Sequence, residues 1–327
     1  MKRRRLGRTG LEVSELVFGA GWVGGIIIDA DAEVKRQAIR RALDGGINWI
    51  DTAPSYGDGA SEEALGWLLK EIDDTPYLST KVRPAHDRAA DIAGEIERSF
   101  EASLKRLQRQ HVHLLQLHNP VGPETTEATL GIEEVLRPGG VADTLEDLRG
   151  QGLVDFIGFT AIGDTECCRR LIQSGRFDTA QVYYNILNPS AGQAVAVDWS
   201  AHDFGGLITS CREADMGVLN IRVLAAGVIA TDVRTGREVA MYRRGSDISA
   251  EQARARKVIA ALRDWRGTRA QAAIRFALDN PDVSGILVGL AQLSHLDEAL
   301  CTLELDPISQ SDRERLNRLY SSDFKDT

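Results

Sequence analysis

The strongest constraint on this chain is an alternation kept up from end to end, in which short β-rich runs are separated by amphipathic helical stretches. Strands are expected over residues 13–18, 48–50, 77–80, 113–117, 156–159, 180–183, 218–223 and 285–288. Between them, Val34, Ala38 and Ala42 recur every four residues and stop at Gly45-Gly46, a helix C-terminal signal. Ser61 is expected to cap a helix that buries Ala64, Leu65, Leu68 and Leu69. Ile92, Ile96, Phe100, Leu104 and Leu107 form one long apolar stripe. Further helices are expected over 144–149, 165–173, 204–214 and 268–279.

A chain of this kind folds as a closed parallel barrel or as a long doubly wound sheet. The barrel is favoured because no composition shift marks a linker, and because polar candidates fall just after strands throughout, which a barrel gathers on one face. Residues 1–327 therefore read as one α/β domain, a (β/α)₈ TIM barrel. A hairpin-like turn, Leu6-Gly7-Arg8-Thr9-Gly10-Leu11, is expected to close its bottom. The connections 119–143, 186–202 and 225–250 are long and follow strands, so they should overhang the C-terminal face as lids or binding loops.

Composition narrows the function. The residues are 43% hydrophobic and 27% charged, as in a globular protein with a sizeable core. A formal charge of −9 offers no basic field for tracking a phosphate backbone, so nucleic acid is not an expected partner. The run Lys2-Arg3-Arg4-Arg5 reads as a solvated face, and Arg8, Glu12 and Glu15 prevent a signal-peptide hydrophobic region after it. The longest apolar stretch, 16–28, is Gly-rich and too short to cross a bilayer, so no membrane association is expected. Cys167, Cys168, Cys211 and Cys301 have neither zinc nor disulfide-framework spacing and read as buried or idle thiols in a reducing cytoplasm.

Three successive strands end in reactive groups. The second closes in Asp51, with Tyr56 in the loop behind it, the third in Lys81, and the fourth in His118 and Asn119. A Tyr hydroxyl is too weak an acid to protonate a nascent alkoxide well at neutral pH, and a neighbouring ammonium is expected to lower its pKa. A buried Lys tends to lose its own proton, so Asp51 is expected to hold it charged. His118 is placed to hydrogen-bond and orient a substrate oxygen. Together these groups make a general acid/base site.

With these residues in view, the sequence resembles the aldo-keto reductase superfamily from about Arg3 to about Glu298. The markers are the Leu6–Leu11 turn, Asp51-Thr52-Ala53 with Tyr56-Gly57, Ser61 through Gly66, Ser79-Thr80-Lys81, Leu117-His118, Gln181 through Asn185 and Gly285 through Gly289. The resemblance implies a (β/α)₈ barrel using a nicotinamide cofactor without metal. It implies Tyr56 as proton donor and acceptor, Lys81 and Asp51 as its tuners, and His118 as the group orienting the carbonyl. Its cofactor positions map to Gly19 and Ala20 at the first strand's mouth, Thr160, Gln181, Ile221, Arg222, Gly289, Leu290, Ala291, His295 and Glu298. Thr160-Ala161 stands where the family has Ser-Asn, and Ile221 where a Tyr stacks on the nicotinamide. Neither Lys nor Arg occurs from Val288 through Asp306, which favours NAD over NADP unless Arg234, Arg237, Arg243 or Arg244 folds in from the long loop. The ending Gly285–Leu290 looks like that of members oxidising free sugars such as L-fucose or L-galactose, so an aldose or related polyol is the expected substrate. A general NADPH-dependent aldehyde or ketone reductase is the alternative. Trp22, Tyr56, His118 and Asn119 are the candidate substrate residues, and Trp22, Tyr183 and Trp199 could offer a platform for a pyranose. One sequence says nothing of oligomeric state.

Three features of the sequence offer rival readings. Gly19-Ala20-Gly21-Trp22-Val23-Gly24 is a literal GxGxxG, but Gly25 and three Ile residues follow where a dinucleotide fold needs a helix to open. His111 and His113 have metal-pair spacing but sit at the start of the fourth strand, on the opposite face from His118. A nicotinamide-binding regulatory subunit with little turnover is the third; against it, the chain shows no N-terminal extension or docking segment.

Overall fold

The computed structural model describes residues 1–85, 91–234, 236–238 and 248–325. The chain opens with a hairpin of β1 (Arg3–Arg5) and β2 (Glu12–Ser14), joined by a 3-10 turn over Gly7–Thr9. There follow β3 (Leu16–Gly19), α1 (Ile26–Asp29), α2 (Ala32–Asp44), β4 (Trp49–Asp51), α3 (Ala60–Leu68), β5 (Tyr77–Val82), α4 (Ile92–Leu107) and β6 (Val112–Leu117). A short parallel pair, β7 (Val121–Gly122) and β8 (Leu130–Gly131), leads through α5 (Ile132–Leu136) and α6 (Val141–Gly150) to β9 (Val154–Ala161). Next come α7 (Thr165–Gln173), β10 (Thr179–Tyr183), α8 (Leu207–Glu213) and β11 (Gly217–Ile221). The rest is α9 (Ile248–Ala261), α10 (Arg269–Leu278), β12 (Gly285–Gly289), α11 (Leu293–Cys301) and α12 (Gln310–Ser321).

Strands β3, β4, β5, β6, β9, β10, β11 and β12 form a closed barrel in that order, with β12 hydrogen-bonded back to β3 and every barrel pair parallel. The expected (β/α)₈ barrel is the fold. Helices shield its outer face, as the α4 stripe shows: Ile92, Ile96, Phe100 and Leu107 are buried.

Several local expectations change. The strand expected over 13–18 is two strands that part at Glu15, because Val13 and Ser14 belong to the hairpin and Leu16 onward to the barrel. The Glu15 carboxylate accepts from the Lys2 N–H and from Arg4 Nη2 at 3.1 Å. The basic run is therefore only partly solvated: Arg4 also donates to the carbonyls of Leu278, Asn280 and Val283 at 2.7–3.0 Å, stapling the hairpin to the end of α10. Inside the floor, Leu6, Val13, Val17, Trp49, Leu114 and Leu219 pack together. Gly7 (φ 48°) must lack a side chain, since a Cβ there would lie 2.2 Å from the Gly217 nitrogen.

Ser61 is not a cap. It lies inside α3, which starts after Gly59 in the left-handed region, and its hydroxyl donates to Ala20 O at 2.9 Å while bonding Thr52 Oγ1 at 2.8 Å. The residue thus ties the ends of β3 and β4 to the helix. Asp31 caps α2 by accepting from the Val34 N–H, and Gly46 (φ 89°) follows its end. Thr268 and Gln271 form a reciprocal cap at α10. Of the 225–250 connection, 235 and 239–247 lie outside the described residues, and 248–250 already belong to α9. Helices α1, α5, α9, α11 and α12 go beyond the expected ones, and α1 is a single turn over Ile26–Asp29, directly after Gly25, where no helix was expected.

Candidate active site

The site is built at the C-terminal ends of β4, β5 and β6. Side chains alternate along a strand, so Trp49 and Asp51 on β4, Ser79 and Lys81 on β5, and Gln116 on β6 point into the barrel. The residue between, Thr80, faces outward and donates to the buried Glu62 of α3, which also pairs with Arg106 of α4 at 2.7 Å. Register is thereby locked from the outside.

Lys81 is fully buried, and Asp51 is 2% exposed. The ammonium donates to Asp51 Oδ1 at 2.6 Å, to Thr52 O at 2.7 Å and to the Tyr56 hydroxyl at 3.3 Å, using all three of its protons. The other carboxylate oxygen, Asp51 Oδ2, accepts from Ser79 Oγ at 2.8 Å, Gln181 Nε2 at 2.8 Å and Gln116 Nε2 at 3.3 Å. Trp49 Nε1 holds Ser79 in turn at 2.9 Å. The His118 ring stands edge-on to the Tyr56 ring at 5.9 Å between centroids, and its backbone N–H donates to Val82 O. Asp51, Tyr56, Lys81 and His118 thus converge on one spot.

Electrostatics follow from this burial. Burial drives Lys81 toward neutrality, but Asp51 and Tyr56 outweigh it, and the pKa stands above its ordinary value. The Tyr56 phenol differs from expectation. Burial raises its pKa, and although Lys81 pulls it down, the net direction is up. His118 is held well below the usual imidazole range by burial, then by Lys81 and Arg83, so it is neutral at physiological pH. Its Nδ1 is buried without a partner among the described residues.

The candidate cofactor residues are placed as follows. Thr160, on β9, has a buried hydroxyl with no partner among the described residues, an open position for a ligand amide. The amide nitrogen of Gln181 is held by Asp51. Ile221 ends β11, and Arg222 follows with φ 63°, its carbonyl held by Asn185 Nδ2 at 2.9 Å. Beyond the dominant effect of burial, the Arg222 charge lowers the phenols of both Tyr56 and Tyr183, which places it at the same mouth. Gly19 pairs with Gly289 across β3 and β12, and a Cβ on Gly19 would sit 2.9 Å from Val288 O. Packing against β12 therefore demands this glycine. Ala20 is buried with its N–H on Asp51 O and its carbonyl on Ser61. The Leu290 side chain is in the core and its carbonyl accepts from the Ile26 N–H. Ala291 and His295 are exposed, with the Ala291 N–H toward His295 Nδ1 at 3.4 Å, and Glu298 is half-buried on α11.

Among the substrate candidates, Asn119 donates to Pro84 O at 3.0 Å and leaves its buried oxygen unpartnered among the described residues, while Trp22 is 41% exposed. Tyr183 stacks on Phe204 at 4.8 Å, and Arg254 covers the Trp199 ring at 4.3 Å, so each has one face already occupied. Arg237 reaches the Trp22 carbonyl and pairs with Asp29. Arg243 and Arg244 lie outside the described residues.

At the other end of the barrel, His111, His113 and Asp155 cluster closely enough to suggest a cation. However, His113 Nδ1 accepts the Leu78 N–H at 3.1 Å, so its other nitrogen carries a proton and has no lone pair for a metal. Three of the four cysteines are buried, and Cys301 is exposed. No helix among the described residues is long and apolar enough to cross a membrane.

Ser79 and Gln116 were missed by sequence reasoning. The signal for them was available: both lie two residues before a named group, at inward positions where a barrel core ordinarily takes an apolar side chain.

Comparison with known proteins gives the family and the fold. A family model described as "Aldo/keto reductase family" matches residues 15–321. L-galactose dehydrogenase of Arabidopsis thaliana is 25% identical, over 97% of this chain and 92% of its own. A probable voltage-gated potassium channel subunit beta, also of Arabidopsis thaliana, is 26% identical over 94% of this chain and 93% of its own. Among solved structures, the holo form of an aldo-keto reductase from Bacillus halodurans superposes with a TM-score of 0.74, at 20% identity, over 98% of this chain and 96% of that one.

Proposed function

Since this chain belongs to the aldo/keto reductase family, we propose that it moves a hydride between a nicotinamide cofactor and a small carbonyl or alcohol, most suitably an aldose or polyol. The observation that carries the reading is the buried ammonium of Lys81, bonded at once to Asp51 and to the Tyr56 hydroxyl. The cofactor supplies or accepts the hydride. Tyr56 gives its phenolic proton to the oxygen of a carbonyl substrate, and the adjacent ammonium stabilises the phenolate left behind. Asp51 keeps that ammonium charged in a site that burial would otherwise make neutral. Neutral His118 donates a hydrogen bond to the same substrate oxygen without competing as an acid. In the oxidative direction the same groups run in reverse, Tyr56 taking the proton from the alcohol.

Thr160 would hold the cofactor's amide, and Gly289 through Glu298 its adenosine end. The lack of Lys and Arg across 288–306 supports NAD over NADP. Similarity to L-galactose dehydrogenase over nearly the whole length supports a sugar substrate, and four cysteines without disulfide-framework spacing support a cytoplasmic protein. The test is steady-state turnover of a panel of aldoses with NAD and NADP in both directions. Turnover of simple aldehydes with NADPH alone, without sugar oxidation, would replace the sugar reading with the general reductase. Binding without turnover would favour the nicotinamide-binding regulatory subunit instead.

A further inference from the structure

An ion pair buried in a barrel has a rival state of the same net charge. The proton can leave the ammonium for the carboxylate, and both groups then stand neutral. Lys81 Nζ and Asp51 Oδ1 are 2.6 Å apart, with side chains 0% and 2% exposed, so the path is short and burial favours the neutral pair. Only the ionic state helps Tyr56, because a neutral amine does not stabilise a phenolate as an ammonium does. The carboxylate must therefore be held as an anion by other groups.

The oxygen turned away from Lys81 shows which groups do so. Asp51 Oδ2 accepts from Ser79 Oγ at 2.8 Å, Gln181 Nε2 at 2.8 Å and Gln116 Nε2 at 3.3 Å. All three donors are neutral, so they stabilise the anion without competing with Lys81 as cations. Ser79 lies beside Asp51 in the β4–β5 register, and Gln116 beside Lys81 in the β5–β6 register; both are fully buried. Trp49 Nε1 donates to Ser79 Oγ at 2.9 Å, which leaves the hydroxyl proton to face the carboxylate. Gln181 is also a candidate for the cofactor, so Ser79 and Gln116 are the donors given to Asp51 alone. Packing does not explain Gln116. Its amide oxygen is buried without a partner among the described residues, a cost that a leucine at this inward position would not carry.

We propose that Ser79 and Gln116 are positioning residues that keep the shared proton on Lys81 Nζ, so that Tyr56 faces an ammonium when it gives up its own proton. Without them the proton passes from Nζ to Asp51 Oδ1, the N–H bond breaking as the O–H bond forms, and the pair becomes amine and carboxylic acid. The effect on turnover rests on the hydride-transfer reading above. The place of the proton does not, since it is a property of the protein without ligand.

Wild type, Ser79→Ala, Gln116→Leu, the double variant and Ser79→Thr, which keeps a hydroxyl, are compared at neutral pH without ligand. The readout is NMR of the side-chain nitrogens of isotope-labelled lysine. The Lys81 resonance is identified by its absence from the double variant Asp51→Asn with Lys81→Met. It should sit at the ammonium position in wild type and in Ser79→Thr. A proton exchanging along one hydrogen bond gives an averaged signal, so the resonance should move toward the amine position in each single variant and furthest in the double one. With saturating cofactor and the aldose that wild type turns over best, kcat should fall about ten- to a hundred-fold in the double variant, as for lost hydrogen bonds to a charged group. The KM for the aldose should hardly change, and Ser79→Thr should keep most of the wild-type kcat. An amine position in wild type would overturn the proposal, as would an ammonium position retained in the double variant. A moved resonance with unchanged kcat would overturn it as well. Should the double variant not fold, the two single variants and Ser79→Thr carry the same test. A wild-type protein that turns over no substrate would bring down the functional reading and leave the resonance to decide the proposal.

Discussion

Gln181 donates its amide N–H to Asp51 Oδ2 at 2.8 Å, joining β10 to β4 across the whole width of the barrel. The two strands are four places apart in a ring of eight, so they face each other directly. The carboxylate that holds Lys81 is thus itself held from the far wall. Four donors on three strands besides its own fix its two oxygens.

Replacing Tyr56 with Phe removes the hydroxyl to which Lys81 donates and leaves the ring packing intact. Turnover should fall by about 10²–10⁴-fold, the usual worth of a general acid. Cofactor Kd should stay within error of wild type. Single-turnover absorbance at the nicotinamide band checks the first, and fluorescence titration the second.

The Asp51–Lys81 pair is buried, so breaking it from one side strands a charge. Lys81→Met should destabilise the protein by about 3–5 kcal/mol. The double variant Asp51→Asn with Lys81→Met should recover most of that stability while remaining inactive. Urea denaturation followed by circular dichroism reads both; a double variant no more stable than the single one would mean the charges are not what is being measured.

The direction of the His118 shift sets a pH dependence. Its folded-state pKa lies well below the 6.5 expected when unfolded. Below pH 6.5 the unfolded chain therefore takes up the proton more readily, and stability falls as pH drops from 6.5 toward the folded-state value. His113 is shifted the same way, mainly by burial, and adds to the slope. His118→Gln should flatten part of the decline in melting temperature between pH 7 and 5, leaving the His113 share.

Tyr56 has its pKa raised by burial. As the proton donor it should stay protonated through neutral pH, so carbonyl reduction should hold its rate into mildly alkaline solution. Alcohol oxidation needs the deprotonated form and should speed up as pH rises. Paired pH–rate profiles with saturating cofactor would show whether the two directions diverge in this way.

The barrel was legible in the sequence because alternation of strand and helix is a property of local periodicity, and the four converging residues were legible because each follows an apolar run. What escaped was set by contacts distant in sequence. Arg4 looks like any surface arginine until carbonyls at 278, 280 and 283 are brought to it. Ser61 has the composition of a cap, but Ala20 and Thr52 compete for its hydroxyl. Helices α9 and α12 carry many charged residues and weak apolar stripes. They are held by tertiary bonds: Arg254 pairs with Asp323 at 3.0 Å and lies over Trp199 and Phe324. The Tyr56 shift was misjudged because one neighbouring charge was weighed without the cost of burial.

The Arg4 staple has a consequence for biosynthesis. The hairpin is made before its anchors, whose carbonyls belong to residues more than 270 positions later in the chain. Its other partners, Asp215 for Arg5 and the Ala214 carbonyl for Arg8, are also late. Leu6 and Val13 can meet Val17, Trp49 and Leu114 early, but their contact with Leu219 also waits. The floor of the barrel is therefore stapled only after the segment holding residues 278–283 has been made, so its closure is a late event in folding.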